Sequence, residues 1–146
     1  TADFSAFRKA VDALKEGKAI GIAPEGTRSV TAQLIEGKPG TALLALRTGV
    51  PIVPVAITGT EDSVHQMRSL KRPLITVEYG KPIQPPALDR SNREGQLDQL
   101  TTEVMCQIAA MLPEKYHGFY RGHPRLMQIL AEKQASHDTP SNESPA

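Results

Sequence analysis

Phe4, Phe7, Val11 and Leu14 recur at helical spacing, with Arg8, Lys9, Asp12, Lys15 and Glu16 between them. The spacing predicts an amphipathic helix over residues 3–16, stopped by Gly17. Residues 18–23 form a short apolar run that Pro24 cuts off. The run is too short for a helix and predicts a buried strand. Residues 24–40 are rich in Gly, Pro, Thr and Ser and predict a loop. Residues 41–47 are good helix formers, and Gly49 supplies a stop. Residues 50–57 are rich in β-branched side chains and predict a second buried strand. It should start or bulge at Pro51 and Pro54, since each lacks a ladder donor. Residues 74–79 alternate and predict a third strand. Ser91-Asn92-Arg93-Glu94 has the form of a capping box. It introduces a helix with Leu97, Leu100, Val104, Ile108 and Leu112 on one face. A last short helix is expected to start near Pro124. From Ala135 the apolar periodicity stops, so residues 135–146 are expected to be a disordered tail after a domain of residues 1–134.

This order implies an α/β fold, a sheet flanked by helices. Three strands make a thin sheet for that class, and the chain opens at Thr1 directly on a helical pattern. The expectation is a domain that is incomplete at its N-terminal side. The length of 146 residues suits one domain. Seventeen basic and sixteen acidic residues leave a net charge of +1, which gives no field for general nucleic-acid binding. The single cysteine, Cys106, excludes an internal disulfide, and its apolar helix assigns it to the core. The apolar run at 50–57, interrupted by two prolines, is too short to span a bilayer. No pair or triplet of histidines has metal spacing, so no metal is expected.

Candidate chemistry concentrates in Pro24-Glu25-Gly26-Thr27-Arg28-Ser29, which follows the first expected strand. Ligand crevices of α/β sheets open at the carboxyl ends of strands. Gly26 permits a close backbone approach or a positive φ. The Glu25 carboxylate can accept from neighbouring hydroxyls of a polyol, and the Arg28 fork suits a phosphate. Thr27 and Ser29 add short donors. The same residues also fit a surface turn with an exposed Glu25–Arg28 ion pair of small worth. A second candidate is Gly37-Lys38-Pro39-Gly40, a turn leading into the helix at Thr41. Free N–H groups at a helix start, with Lys38 beside them, can seat a phosphate, and an ordinary loop-to-helix entry fits equally. His65, Arg68, Lys71 and Arg72 read as solvated loop. Tyr116, His117, Phe119, Tyr120, Arg121, His123 and Arg125 form an aromatic and basic cluster that either closes packing at a domain edge or touches lipid headgroups or nucleic acid.

In colinear order, these motifs resemble the glycerophospholipid acyltransferase family, and most closely its bacterial 1-acyl-glycerol-3-phosphate (lysophosphatidic acid) members. Residues 24–29 match the family's third motif, with Ala23 where most members have Phe. Val50-Pro51-Ile52-Val53-Pro54 matches the fourth. Pro113-Glu114-Lys115-Tyr116-His117-Gly118-Phe119-Tyr120 resembles a segment near the end of such domains. The likeness covers about the first 120 residues, and nothing after Arg121 matches. It implies a glycerol-3-phosphate acyltransferase-like domain in which Glu25 and Gly26 hold the acceptor, Thr27, Arg28 and Ser29 support them, and Lys38 and Gly40 stand beside the acceptor phosphate. The fourth-motif residues would shape the core and the acyl-donor side.

The resemblance implies acyl transfer from acyl-CoA or an acyl carrier protein to a lysophosphatidate-like acceptor, with no further cofactor. It also implies peripheral contact with the cytoplasmic face of a membrane. The family's chemistry belongs to a His-x-x-x-x-Asp pair, the His as general base and the Asp as its orienter. Five residues after His65, His117, His123 and His137 stand Leu70, Gly122, Gln128 and Asn142, so this sequence holds no such pair and no catalytic residue is assigned in it. The family's second motif, which supplies a Gly and an Arg, is absent as well. The sequence therefore reads as a C-terminal portion of an acyltransferase, with a non-catalytic glycerophospholipid-binding module as the alternative.

Overall fold

The computed structural model describes residues 2–60, 72 and 74–137. α1 (Ala2–Lys15) ends one residue before the expected limit. Gly17 takes φ +79°, its N–H bonds to the Leu14 carbonyl, and the Lys18 N–H bonds to that of Ala13, both at 3.0 Å. This crossed pair satisfies two carbonyls at the helix end and requires the left-handed conformation that glycine takes without strain. α2 (Gly40–Thr48) is stopped in a related way by Gly49, whose N–H bonds to Ala45 at 2.8 Å. Arg47 of α2 lies over the Phe7 ring of α1, 5.7 Å from its centroid.

β1 (Val55–Thr58) pairs antiparallel with β2 (Thr76–Tyr79), Val55 opposite Tyr79 and Thr58 opposite Thr76. An isolated bridge between Ile52 and Ile83 continues the pairing on the far side of Pro54. The prolines act as expected, since the continuous ladder begins only after Pro54. The first expected strand does not form. The backbone groups of residues 19–22 have no partner among the described residues, and Ile20 and Ile22 are 37% and 45% exposed. A strand exists only through its neighbour, and the described chain offers none on that side. The architecture is therefore mixed helix and sheet, with two strands in place of three among the described residues.

α3 (Arg93–Ala109) carries the centre of the core, burying Leu100, Val104, Met105, Cys106, Ile108 and Ala109. Its expected capping box is absent. Asn92 is the N-cap and makes no side-chain cap bond. Ser91 instead donates both its N–H and its hydroxyl to Asp89 Oδ1, at 2.8 and 2.6 Å. Asp89 outcompetes the helix end because it reaches both donors from two residues away. Two short 3₁₀ turns, Glu114–Tyr116 and Gly118–Tyr120, lead to α4 (Pro124–His137), with proline in the first turn. α4 is longer than expected and extends through Ala135, Ser136 and His137 into the segment read as tail. Residues 138–146, His65, Arg68 and Lys71 lie outside the described residues.

Leu126 and Ile129 of α4 join Ala42, Ala45 and Leu46 of α2 and Ala56 of β1 in the cluster around α3. Cys106 is fully buried, and burial pushes its thiol up to about 11, so it stays protonated as a core residue. The histidines of the aromatic cluster are committed to packing. His117 is buried, its Nε2 3.0 Å from the Leu112 carbonyl. His123 Nδ1 accepts the Arg125 N–H at 3.2 Å and stands 3.6 Å from Cys106 Sγ.

Arg125 grips Glu103 through Nε at 2.5 Å and Nη2 at 3.0 Å, tying α4 to α3. These bonds hold the Glu103 carboxyl below its ordinary value of 4.5. A lowered folded-state value gives stability above the ordinary value and loses it as pH falls through and below it. Glu103→Gln is expected to lower the unfolding free energy by about 1–2 kcal/mol at neutral pH. In urea titrations the gap to the wild type should close as pH drops from about 6 to about 3. A gap that stays constant over that range contradicts the assignment.

Candidate functional site

The loop between residues 24 and 38 is closed by its own backbone. Lys38 donates its N–H to the Pro24 carbonyl at 2.7 Å, so the two ends of the loop lie side by side. Gly26 donates to Ala23 at 3.1 Å and takes φ +70°, turning the chain sharply around Pro24 and Glu25. A Cβ on Gly26 would stand 3.4 Å from Lys38 Cγ, so the lysine stem crosses directly over the glycine. Glu25 is half-buried, and its Oε2 accepts the Ile35 N–H at 2.8 Å. Glu25, Gly26 and Lys38, separated in the sequence, thus share one corner.

The other expected site residues behave differently. Thr27 and Arg28 are exposed, and Arg28 has no ion-pair partner among the described residues. The exposed Glu25–Arg28 pair considered above is not formed, because the carboxylate serves the Ile35 backbone. Ser29 Oγ lies 3.3 Å from Thr31 Oγ1. Gly40 is the first residue of α2. The N-cap Pro39 brings no side-chain cap, and the N–H groups of Gly40, Thr41 and Ala42 have no partner among the described residues. The first bond of the helix joins Leu43 to Pro39 at 2.8 Å. Three open donors and the partial positive charge of a helix start therefore begin one proline after Lys38.

A cleft of about 650 Å³ opens beside this corner. Residues 20–25 form one wall and residues 50–57 the other, with Leu44, Val104 and Ile108 between them. Among the described residues Glu25 is the one charged residue on its lining, and Thr41 the one hydroxyl. The Thr41 Oγ1 atom is buried and unpartnered among the described residues. The cleft joins an apolar volume to a polar corner, a combination suited to a ligand with a charged head and an apolar chain. Linear reasoning missed Thr41 and the cleft itself, because the walls come from segments that no periodicity connects. Among the described residues no group of His, Cys, Asp and Glu is arranged to hold a metal.

Glu25→Gln keeps an oxygen that can accept from Ile35, whereas Glu25→Ala removes it. Glu25→Ala is expected to destabilise the chain by about 1 kcal/mol and to speed amide exchange at Ile35, with Glu25→Gln close to the wild type in both. Gly26→Ala should cost about 1 kcal/mol through its positive φ. Urea unfolding and amide exchange measured by NMR check these outcomes. Equal behaviour of the two Glu25 variants contradicts the assigned bond.

Residues 3–58 match the family model described as Acyltransferase. A 1-acyl-sn-glycerol-3-phosphate acyltransferase of Cocos nucifera is 42% identical over 71 residues, 48% of this chain and 23% of that protein. The protein of the same name from Borreliella burgdorferi is 41% identical over 54 residues, 37% of this chain and 22% of its own length. A probable 1-acyl-sn-glycerol-3-phosphate acyltransferase of Mycoplasma pneumoniae is 32% identical over 71 residues, 49% of this chain and 27% of its own. The chain spans about a quarter of the length of these curated relatives. No solved structure matches it. Over residues 3–58 the chain is therefore similar to the Acyltransferase family, which supports the resemblance carried by the two motifs.

Proposed function

We propose that the protein containing this chain is an O-acyltransferase of phospholipid synthesis. It moves an acyl group from an acyl thioester, acyl-CoA or acyl carrier protein, to the free hydroxyl of 1-acyl-glycerol-3-phosphate. This chain supplies the acceptor site. The observation that carries the reading is the corner of Glu25, Gly26 and Lys38 beside a cleft that is otherwise almost wholly apolar. The acceptor has the same division, an anionic glycerol head on an acyl chain. In this reading Glu25 accepts from the glycerol, Lys38 and the open N–H groups of α2 face the phosphate, and the cleft takes the chain. Thr27, Arg28 and Ser29 border the head from the exposed side.

The step itself needs a base. The acceptor oxygen attacks the thioester carbonyl carbon as its proton passes to that base, a C–O bond forms, the C–S bond breaks, and the proton leaves on the thiol. No histidine of this sequence is followed five residues later by aspartate, so in this reading the base comes from outside these 146 residues. None of the described helices is long and apolar enough to cross a membrane. The reading has the protein meet its lipid peripherally, at the cytoplasmic face. The missing pair equally favours a second reading, a module that binds glycerophospholipids without turning them over.

Expression of the complete reading frame that contains this sequence, followed by an assay of phosphatidate formation, separates the two. The first reading expects turnover, with Glu25→Ala lowering kcat/KM for the acceptor at least about tenfold. Lipid binding without turnover favours the module. A Glu25→Ala enzyme that uses the acceptor as well as the wild type contradicts the assigned site.

A further inference from the structure

Lys38 is held in place through its neighbour Gly37 by Tyr120, a residue distant in the sequence. Tyr120 is 3% exposed, and its ring stands edge-on to Phe119 with centroids 5.1 Å apart. Its hydroxyl oxygen accepts the Gly37 N–H at 2.9 Å. Gly37 is pressed onto α3 at the same point. A Cβ there would lie 2.7 Å from Met105 Cγ and 3.0 Å from Thr101 Cγ2, so no other residue fits without displacing α3 side chains. The backbone at Gly37 is thereby caught between a buried phenol and a helix face. The next residue is Lys38, with its N–H on Pro24 and its stem over Gly26. Burial raises the Tyr120 phenol above its ordinary value of 10.0, which keeps it neutral at working pH.

We propose that Tyr120 is a positioning residue for recognition of the acceptor's phosphate: its hydroxyl fixes Gly37 so that the Lys38 ammonium and the open N–H groups at the start of α2 meet one anion. The inference rests on the acceptor reading given above and extends it to a residue outside both motifs. Tyr120 touches neither the head group nor the reacting atoms. Its effect passes through one backbone bond, and the phosphate end of the ligand is the part that feels it. The glycerol carbons and the acyl chain, which lie with Glu25 and the cleft, do not depend on that bond.

Calorimetric titration of the chain with 1-hexanoyl-glycerol-3-phosphate and with 1-hexanoyl-glycerol tests this, using the wild type and Tyr120→Phe. The ring is kept in Tyr120→Phe and only the acceptor oxygen is lost. Affinity for the phosphorylated ligand is expected to fall about five- to tenfold, the size of one lost hydrogen bond. Affinity for the neutral ligand should stay within about twofold, a split that a general loosening of the fold would not produce. Amide exchange at Gly37 should quicken in the same variant. Incorporation of 3-fluorotyrosine at position 120, which keeps the side chain's shape and weakens the oxygen as an acceptor, should give an intermediate loss and guards against misfolding of the phenylalanine variant. A wild type that binds the phosphate ligand while Tyr120→Phe binds it equally well overturns the positioning role alone. Equal weakening of both ligands also overturns it. A wild type that binds neither ligand overturns the acceptor reading and this proposal with it.

Discussion

Residues 34–38 belong to no helix or strand, yet they are packed against the core and their backbone groups must find partners. They find them far away in the chain. Leu34 exchanges bonds with Tyr116 and Phe119, Ile35 takes the Glu25 carboxylate, Gly37 takes the Tyr120 hydroxyl, and Lys38 takes the Pro24 carbonyl. This borrowed pairing brings Glu25, Gly26 and Lys38 to one point. Without it the loop would have only the turn at Gly26 to shape it, and its charged side chains would sample unrelated positions. The cost of ordering such a loop is offset by these bonds, and the phenol that holds Gly37 is itself part of the buried cluster around α3.

The same arrangement explains why the site is both polar and apolar. The loop sits at the edge of a cleft whose walls are residues 20–25 and 50–57. Pro24 and Glu25 belong to the wall and to the loop at once, so the carboxylate stands where the apolar lining ends. A phosphorylated glycerol with one acyl chain divides its own chemistry in the same way. The proposed function grows from that match, and the similarity of residues 3–58 to the Acyltransferase family model agrees with it.

Much of this was legible in the sequence, for reasons that particular residues make plain. Gly17 and Gly49 announce helix ends because only a left-handed residue closes them, and Pro54 delays β1 because it has no donor. The helical stripe from Leu97 to Ile108 could be read directly, since burial on one face leaves a period. The strand at residues 18–23 was not legible as an error, because apolar composition describes what a segment can bury and says nothing of whether a neighbour is there to pair with it. The capping box at Ser91 failed to form because Asp89 competes from outside the four-residue pattern. Within the site, motif and spacing pointed to Glu25, Gly26 and Lys38. The roles of Ile35, Gly37, Thr41 and Tyr120 depend on contacts of long sequence separation that no local pattern encodes.

The central claim is that one corner of the chain receives a phosphorylated glycerolipid head while the adjoining cleft receives its chain. Backbone NMR shifts recorded during titration with a short-chain lysophosphatidate address it most directly. The account predicts saturable shifts at the amides of Gly26, Lys38, Gly40 and Thr41, together with shifts of the Ile20, Ile22 and Leu44 methyl groups. Shifts confined to the face around Phe119 and Arg121, or none at all, would contradict it.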